Sequence, residues 1–278
     1  MSSGPPRTPG GLRHLWAVYR GEFQTSVAVQ LQYRGAQVIW LLGTVLGPLV
    51  YLAVWSAVAA ASGGEVDGFS RASFAAYYIV LMLVNQVTFS WTMYEFDSRI
   101  REGAFSPLLL RPVHPIHADL ADNLANKALT MLVLLPTAGV LALVFHPVLH
   151  PRPWAILALI PALGLAFAVR FTLEWTLALA AFWTTRTSAL NQAYEAVLLF
   201  LSGQIAPLAL LPGPFRAVAD ALPFRWMVAF PVQLLTGQPS PGAVAAGLAA
   251  QAAWLAAVLL LHRGLWRAAT RRYAAVGG

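Results

Sequence analysis

Long apolar runs separated by short polar stretches extend along nearly the whole chain. We predict six membrane-crossing segments, at residues 38–61, 74–94, 128–146, 153–183, 193–212 and 243–262. A helix needs roughly 20 apolar residues to cross a hydrocarbon core of about 30 Å. The pattern therefore predicts an all-α polytopic membrane protein with six transmembrane helices, in which residues 1–278 form a single transmembrane domain.

An amphipathic interfacial helix is predicted before the first of these segments, at residues 12–34. Its apolar side chains recur every three or four residues: Leu12, Trp16, Tyr19, Phe23, Val27 and Leu31. A basic helix with one aromatic face lies along a membrane surface rather than across it. Two interpretations stay open, a simple anchor or a connector that transmits movement from a cytoplasmic partner.

Residues 213–242, between the fifth and sixth predicted spans, are moderately apolar but interrupted by prolines. These are Pro214, Pro223, Pro231 and Pro239. Proline in a helix interior removes a hydrogen-bond donor and clashes with the preceding turn. We therefore predict short re-entrant helices in the outer leaflet, with their ends covered by protein.

Basic residues are concentrated in the loops on one side of the predicted spans. That side holds both termini. The only basic residues in the opposite loops are Arg71, Arg152, Arg216 and Arg225. An excess of arginine and lysine marks the cytoplasmic side, so we expect both termini in the cytoplasm. The net charge of +7 follows from this placement, and no nucleic-acid partner is expected.

The composition excludes several kinds of chemistry. Only 10% of the residues are charged, against roughly 25% in soluble domains. The absence of cysteine excludes disulfides and thiolate catalysis. The one lysine, Lys127, precedes Ala128, whereas an ATP-binding P-loop needs a lysine followed by serine or threonine. We therefore expect a non-catalytic chain that carries no cofactor of its own.

The stretch REGAFSPLLLRPVHP, residues 101–115, separates the second and third predicted spans. Gly103 suits the left-handed position that ends a helix, and Ser106 with Pro107 suits the start of the next one. Pro112 disfavours helix at the residue before it. About one helical turn remains, and it carries Leu108, Leu109 and Leu110. We predict that these leucines form an exposed docking surface; the alternative is that they insert into the inner leaflet.

Three segments resemble the membrane subunits of ABC-2 type ATP-binding-cassette transporters, and in particular bacterial permeases of uncharacterised or multidrug exporters. The segments are "YRGAQVIWLLGTVLGPLVYLAVW", "DSRIREGAFSPLLLRPVHP" and "LSGQIAPLALLPGPFRAVADALPF". The resemblance implies a permease subunit in the bacterial inner membrane that exports a substrate, hydrophobic or amphipathic. It also implies a cytoplasmic ABC ATPase that binds ATP and Mg²⁺, a second permease subunit, identical or different, and surrounding membrane lipids.

The resemblance implies roles for individual residues as well. Residues 95–127 are similar to the cytoplasmic coupling segment of the family. The residues expected to contact the ATPase there are Asp97, Arg101, Glu102, Gly103, Leu108, Leu109, Leu110 and Arg111. The second and fifth spans are expected to face the dimer axis and to line the substrate pathway through Asn85, Gln86, Trp91, Ser202, Gly203 and Gln204. Contact between helices is the alternative role for this second set.

Arg170 and Glu174 lie four residues apart in the fourth predicted span and so share a helix face. Charges within a span are costly. We expect an intramembrane pair with a structural role, and a place in the conduction path or subunit interface is the alternative.

Asp119 and Asp122 have the DxxD spacing with which membrane prenyltransferases hold Mg²⁺ and diphosphate. His114 and His117 lie close by. A second acidic cluster with that spacing is absent from the sequence, so we expect no metal site, and a prenyl-type transferase is an alternative function only. A secondary transporter is the other alternative, and it is weakened because the sequence shows no inverted repeat.

Overall fold

The computed structural model describes residues 11–32, 34–110, 113–184 and 186–272, without the side chains of residues 11–15, 34, 36 and 97. The helices up to the middle of the chain are α1 (Gly11–Gln32), α2 (Arg34–Ala61), α3 (Arg71–Thr88), α4 (Thr92–Arg101), α5 (Ser106–Leu109) and α6 (Ile116–Phe145). They are followed by α7 (Pro153–Ala178), α8 (Ser188–Leu201), α9 (Gly213–Ala221), α10 (Pro223–Met227), α11 (Ala229–Thr236) and α12 (Pro241–Arg272). Short 3₁₀ turns follow α7 at Leu179–Phe182 and precede α9 at Leu208–Leu210.

Within the described residues, five helical segments are long and apolar enough to cross a membrane. They are Gln37–Ala61, Arg71–Arg101, Ile116–Phe145, Pro153–Phe182 and Pro241–Arg272. These segments overlap the first, second, third, fourth and sixth spans predicted from the sequence. The chain is thus a helical, polytopic membrane protein, as predicted.

The predicted fifth span does not form one continuous helix. Helix α8 has 14 residues and ends at Leu201, which corresponds to about 21 Å at 1.5 Å per residue. The chain then turns at Gly203, whose φ is +87°, and Pro207 further along has extended backbone angles. A helix of this length falls short of a hydrocarbon core of about 30 Å. The sixth crossing therefore stays a prediction.

Helix α3 lies at the centre of the molecule. Every residue from Phe74 to Met82 is buried, because α3 packs against α2, α6, α7 and α11. A helix that is apolar on all sides is expected in such a place. Helix α2 is the opposite case, since many of its large apolar side chains are exposed, as in Ile39, Leu46 and Val54.

A two-stranded hairpin, absent from the all-α prediction, connects α2 to α3. Strands β1 (Glu65–Val66) and β2 (Phe69–Ser70) pair antiparallel, with Val66 opposite Phe69. Asp67 and Gly68 form the turn, and both have positive φ. A two-residue turn with positive φ at both positions matches the right-handed twist of the strands, and Asp-Gly is a favoured sequence for it.

Residues 213–242 form the short helices that the prolines predict. Pro214 and Pro223 lie in the first turns of α9 and α10, where a missing N–H costs nothing. Helix α11 contributes Ala229, Phe230 and Val232 to the buried core. The predicted short helices are observed, and their re-entry into the outer leaflet stays a prediction.

The predicted amphipathic helix is observed as α1, which packs against the first half of α6. Tyr19 Oη lies 2.9 Å from His117 Nδ1, and the side-chain amide of Asn126 donates to Gln30 at 3.1 Å. The apolar residue Trp16 is 72% exposed, and Phe23 is exposed as well. Part of the predicted apolar stripe is therefore available to a membrane or a partner, and its placement along the membrane surface stays a prediction.

Candidate functional site

The second membrane segment is interrupted at residues 89–91, between α3 and α4. The hydroxyl of Thr88 donates to the Val84 carbonyl at 3.0 Å, and Ser90 Oγ accepts from the backbone N–H of Thr92 at 3.4 Å. Such local side-chain bonds compete with the helical ladder. The Phe89 carbonyl accepts a hydrogen bond from Lys127 of α6. A buried lysine thus fixes the position of the interruption.

Arg170 and Glu174 are in contact inside the membrane segment of α7. Arg170 Nε lies 2.8 Å from Glu174 Oε1, and both residues are almost fully buried. Arg170 Nη1 also donates to Asn85 Oδ1 at 2.8 Å and to Thr88 Oγ1 at 3.2 Å. Tyr194 of α8 donates to Glu174 at 2.9 Å. The pair therefore connects α7 to α3 and α8, and its structural role stays a prediction.

The acidic start of α6 is joined to α4 and α7. Arg99 Nη1 lies 2.6 Å from Asp119 Oδ1, and Arg99 also pairs with Glu95 one turn earlier. The other oxygen of Asp119 accepts from the indole N–H of Trp175 at 2.8 Å. Asp122, by contrast, faces Ser26 of α1. The two aspartates of the DxxD pattern therefore contact different residues.

An aromatic cluster anchors the connection from α4 to α5. The ring of Phe105 is fully buried, with its centroid 5.1 Å from that of Phe96 and 5.4 Å from that of Phe182. Phe96 lies 5.1 Å from Trp175 of α7, and Trp175 lies 5.4 Å from Trp266 of α12. Such pairs contribute about 0.5–1.5 kcal/mol each beyond their burial. The connection is therefore packed against α12 and, through Phe96, against α7.

His114 lies against the same aromatic cluster. Its ring centroid is 4.2 Å from that of Trp266 and 5.8 Å from that of His262. Burial, with smaller contributions from His262 and His117, lowers the pKa of His114 to about 4. The Nδ1 atom accepts a hydrogen bond from the backbone N–H of Ile116 at 3.2 Å, which requires that nitrogen to be unprotonated. His114 is thus neutral at pH 7.

Two adjoining cavities lie beside the interruption between α3 and α4. The first, of about 380 Å³, lies between α1, α2, α4 and α6, and Trp91, Glu95 and Asp122 line it. The second, of about 240 Å³, continues along α2 and α3 past Asn85 and Gln86. Trp40 and Phe89 line both cavities and join them: their ring centroids are 5.4 Å apart.

The sequence model of a family described as ABC-2 family transporter protein matches residues 45–277. The chain belongs to this family. No curated relative matches the chain. Membership makes the chain a membrane domain of the ABC-2 transporter family, whose members typically work with an ATPase subunit.

The predicted coupling segment has the local structure expected from its sequence. Gly103 follows α4 with φ of +73°, and α5 is a single turn that begins with Ser106 and Pro107. Arg101 and Glu102 are exposed. Arg111 and the side chain of Asp97 lie outside the described residues.

The three leucines of the predicted coupling segment do not share one exposed face. Leu108 and Leu109 are partly buried against the core, whereas Leu110 is 86% exposed. A one-turn helix directs successive side chains about 100° apart, so all three cannot point the same way. The structure therefore contradicts a docking surface made of all three leucines: only Leu110 is exposed, and Leu108 and Leu109 pack against the core.

The predicted pathway residues of this ABC-2 domain separate into two groups. Asn85, Gln86 and Trp91 line the two adjoining cavities. Asn85 and Gln86 also make contacts between helices, since Asn85 accepts from Arg170 and Gln86 donates to Thr130 of α6 at 3.0 Å. Their positions are therefore compatible with either role, lining a pathway or packing helices together.

Ser202, Gly203 and Gln204 form the second group and lie away from those cavities, after α8. Tyr77 donates to the Gly203 carbonyl at 2.7 Å, and a Cβ atom on Gly203 would lie 2.6 Å from the same hydroxyl oxygen. Gln204 donates to Ser202 at 3.0 Å. Ser202 and Gly203 are buried, so they fix the end of α8 within the chain.

Sequence reasoning missed several residues that organise these sites. Lys127 holds the interruption, and Phe105 anchors the coupling segment. Trp55 and Tyr78 both donate to the Ile205 carbonyl, at 2.8 and 2.6 Å, which fixes the chain after α8. One signal was available for Lys127: a lysine at the edge of an apolar span is costly and needs a partner.

Proposed function

We propose that this chain is the permease subunit of an ABC exporter that moves a hydrophobic or amphipathic substrate outward across the bacterial inner membrane. A separate cytoplasmic ATPase binds ATP and Mg²⁺, and a second permease subunit, identical or different, completes the membrane pathway. The excess of basic residues on the side of both termini supports a cytoplasmic position for the coupling segment.

The proposal rests on one observation, which is the structure of the coupling segment. Leu110 projects into solvent, while Phe105, five residues earlier, is buried among rings of α4, α12 and the 3₁₀ turn that follows α7. A docking residue that is joined to membrane helices through a packed cluster transmits displacement, because packed interiors resist compression. Closure of an attached ATPase therefore moves α7 and α12.

The second permease subunit is supported by the outer surface of α2. Its exposed residues Ile39, Leu46 and Val54 are all large and apolar. Surfaces of this kind in a membrane protein contact lipid or another subunit. In the proposed complex, α2 makes both contacts.

The transferase alternative is not favoured by the geometry. Both carboxylate oxygens of Asp119 already accept bonds, from Arg99 and from Trp175. Asp122 faces a different helix at Ser26. Holding a divalent cation takes several oxygen ligands at one point, and these two aspartates do not offer a shared set.

Reconstitution tests the proposed function. The chain and its ATPase are assembled in proteoliposomes, and ATP hydrolysis is measured as candidate amphiphiles are added. We expect at least one amphiphile to stimulate hydrolysis and to accumulate in the compartment opposite the ATPase. The ATPase without the permease serves as the control and should not respond. Hydrolysis by a fully assembled complex that responds to no amphiphile would contradict export.

A further inference from the structure

The larger cavity, between α1, α2, α4 and α6, combines an aromatic wall with acidic side chains. Trp40, Phe89 and Trp91 supply the rings, and Glu95 and Asp122 supply the carboxylates. Its volume of about 380 Å³ lies within the range of about 300–1,000 Å³ typical of small-molecule sites. Trp40 is half exposed, so the cavity is open to a ligand from the side of α2.

The charges around this cavity do not balance. Arg99 is shared between Glu95 and Asp119, and Lys127 donates to the Phe89 carbonyl. Asp122 is a third carboxylate, and no arginine or lysine in the described part of the chain lies within salt-bridge distance of it. Glu22 adds a fourth negative charge near Asp122. Arg99 offsets part of the charge of Asp122, but it is already paired with Glu95 and Asp119. The negative charge at Asp122 is therefore only partly compensated.

A half-buried carboxylate whose charge is only partly compensated favours a cationic ligand. A cation that enters the cavity gains from this charge, and also from the faces of the aromatic rings, which attract cations electrostatically. The ligand also needs an apolar body, because three aromatic side chains form much of the wall. A small hydrated metal ion lacks such a body. The described residues also contain no group of three histidine or carboxylate side chains placed to hold a metal ion.

We propose that this cavity binds lipophilic organic cations, with Asp122 as the charged contact and Trp40, Phe89 and Trp91 as the apolar wall. The second cavity, past Asn85 and Gln86, continues the site along α2 and α3. The proposal of a binding site depends only on the geometry of the cavity. Its role as a cargo site rests on the proposed export function.

Tetraphenylphosphonium and tetraphenylborate provide the test, because they are alike in size and shape and opposite in charge. Binding of each ion is measured by equilibrium dialysis against the full chain in phosphatidylglycerol nanodiscs, with empty nanodiscs subtracted. We expect saturable binding of the phosphonium ion and none of the borate. Asp122→Asn should weaken phosphonium binding about tenfold or more. The matched control Glu65→Gln removes a negative charge from the hairpin and should bind like the wild type.

A loss of folding would mimic a loss of binding, so each variant is checked by its melting temperature. Trp91→Leu offers a second route, since it keeps all charges and should weaken binding through the aromatic wall. Equal binding of both ions, or full phosphonium binding by both variants, would overturn the proposal. Displacement of phosphonium by lysophosphatidylcholine would identify a lipid headgroup cation as a natural occupant. Failure to displace it would identify free amphiphilic cations.

The outcomes separate this proposal from the export function. Phosphonium binding that depends on Asp122, without stimulation of ATP hydrolysis in the assembled complex, supports the site and counts against the cation as cargo. Hydrolysis that is stimulated by neutral amphiphiles, in a chain that binds no phosphonium, supports export and overturns the cation site.

Discussion

The ammonium group of Lys127 donates a hydrogen bond to the carbonyl oxygen of Phe89, 38 residues earlier in the chain. Phe89 lies in the interruption between α3 and α4, and Lys127 lies on α6. The contact therefore joins the point at which the second membrane segment bends to a neighbouring helix. Lys127 is also 4.7 Å from the centroid of the Phe167 ring on α7. One side chain thus connects α6, α7 and the interruption.

Replacement of Lys127 should destabilise the protein. Lys127→Met keeps the length of the side chain but leaves the Phe89 carbonyl without its donor, which costs about 1–3 kcal/mol for a buried group. We expect a lower melting temperature of the purified protein. Lys127→Arg retains a cation and donors and should lose less. Equal melting temperatures for the wild type and Lys127→Met would show that the contact does not stabilise the interruption.

The pair formed by Arg170 and Glu174 should be more sensitive to loss of one partner than of both. Removing one member of a buried pair leaves an uncompensated charge and costs about 3–5 kcal/mol. We therefore expect Arg170→Met and Glu174→Gln each to reduce the yield of folded protein sharply, and the double variant to recover part of it.

Yield after size-exclusion chromatography measures this effect, and Arg152→Met, at an exposed position, is the control. A double variant that is worse than both single variants would mean that Arg170 and Glu174 act independently of each other, for example through Asn85 and Tyr194.

His114 should make the stability of the protein fall as the pH falls. The pKa of this imidazole is about 4 in the folded protein, against an ordinary value of 6.5. Between these pH values the unfolded chain takes up a proton that the folded chain does not, so unfolding becomes more favourable as the pH falls. Above pH 6.5 both states are neutral, and the contribution is constant.

Melting temperatures between pH 7.5 and pH 4.5 test this dependence. His114→Gln should show a smaller decrease than the wild type, whereas His150→Gln, at an exposed loop position, should show the same decrease. An identical decrease in all three proteins would assign the pH dependence to other groups.

Local chemistry made part of this structure predictable from the sequence. Gly103, Ser106 and Pro107 specify the end of one helix and the start of the next through their own backbone preferences. The apolar runs specify the long membrane helices because they reach the length that a bilayer requires. Arg170 and Glu174 meet because residues four apart share a helix face.

Other features depend on partners that are distant along the chain, and no local pattern encodes them. The interruption at Phe89 is held by Lys127 of α6. The break after α8 is fixed by Tyr77 and Tyr78 of α3, 126 and 127 residues away from the carbonyl groups that they bind. Residues 193–212 are largely apolar, so the sequence predicts a span where tertiary contacts stabilise a turn.

The leucines of the coupling segment divide into two groups with different expected effects. Leu108 and Leu109 pack against the core, so Leu108→Ser and Leu109→Ser should lower the melting temperature of the permease itself. Each removes up to about 1.5–3 kcal/mol of burial. If neither variant lowers it, the packing of the segment contributes nothing to stability, and Leu110 is not held in a fixed position.

Leu110 provides the most direct test of the central claim, which is that the coupling segment docks an ATPase. If this exposed side chain is buried by the partner, Leu110→Ser should weaken assembly about tenfold to a hundredfold. Leu149→Ser changes a leucine in the loop at the other end of α6 and is the matched control. The measurement is the amount of ATPase that co-purifies with each variant in the same detergent. We predict that the Leu110 variant, with an unchanged melting temperature, loses the ATPase while the Leu149 variant retains it; full retention by both would contradict docking through this segment.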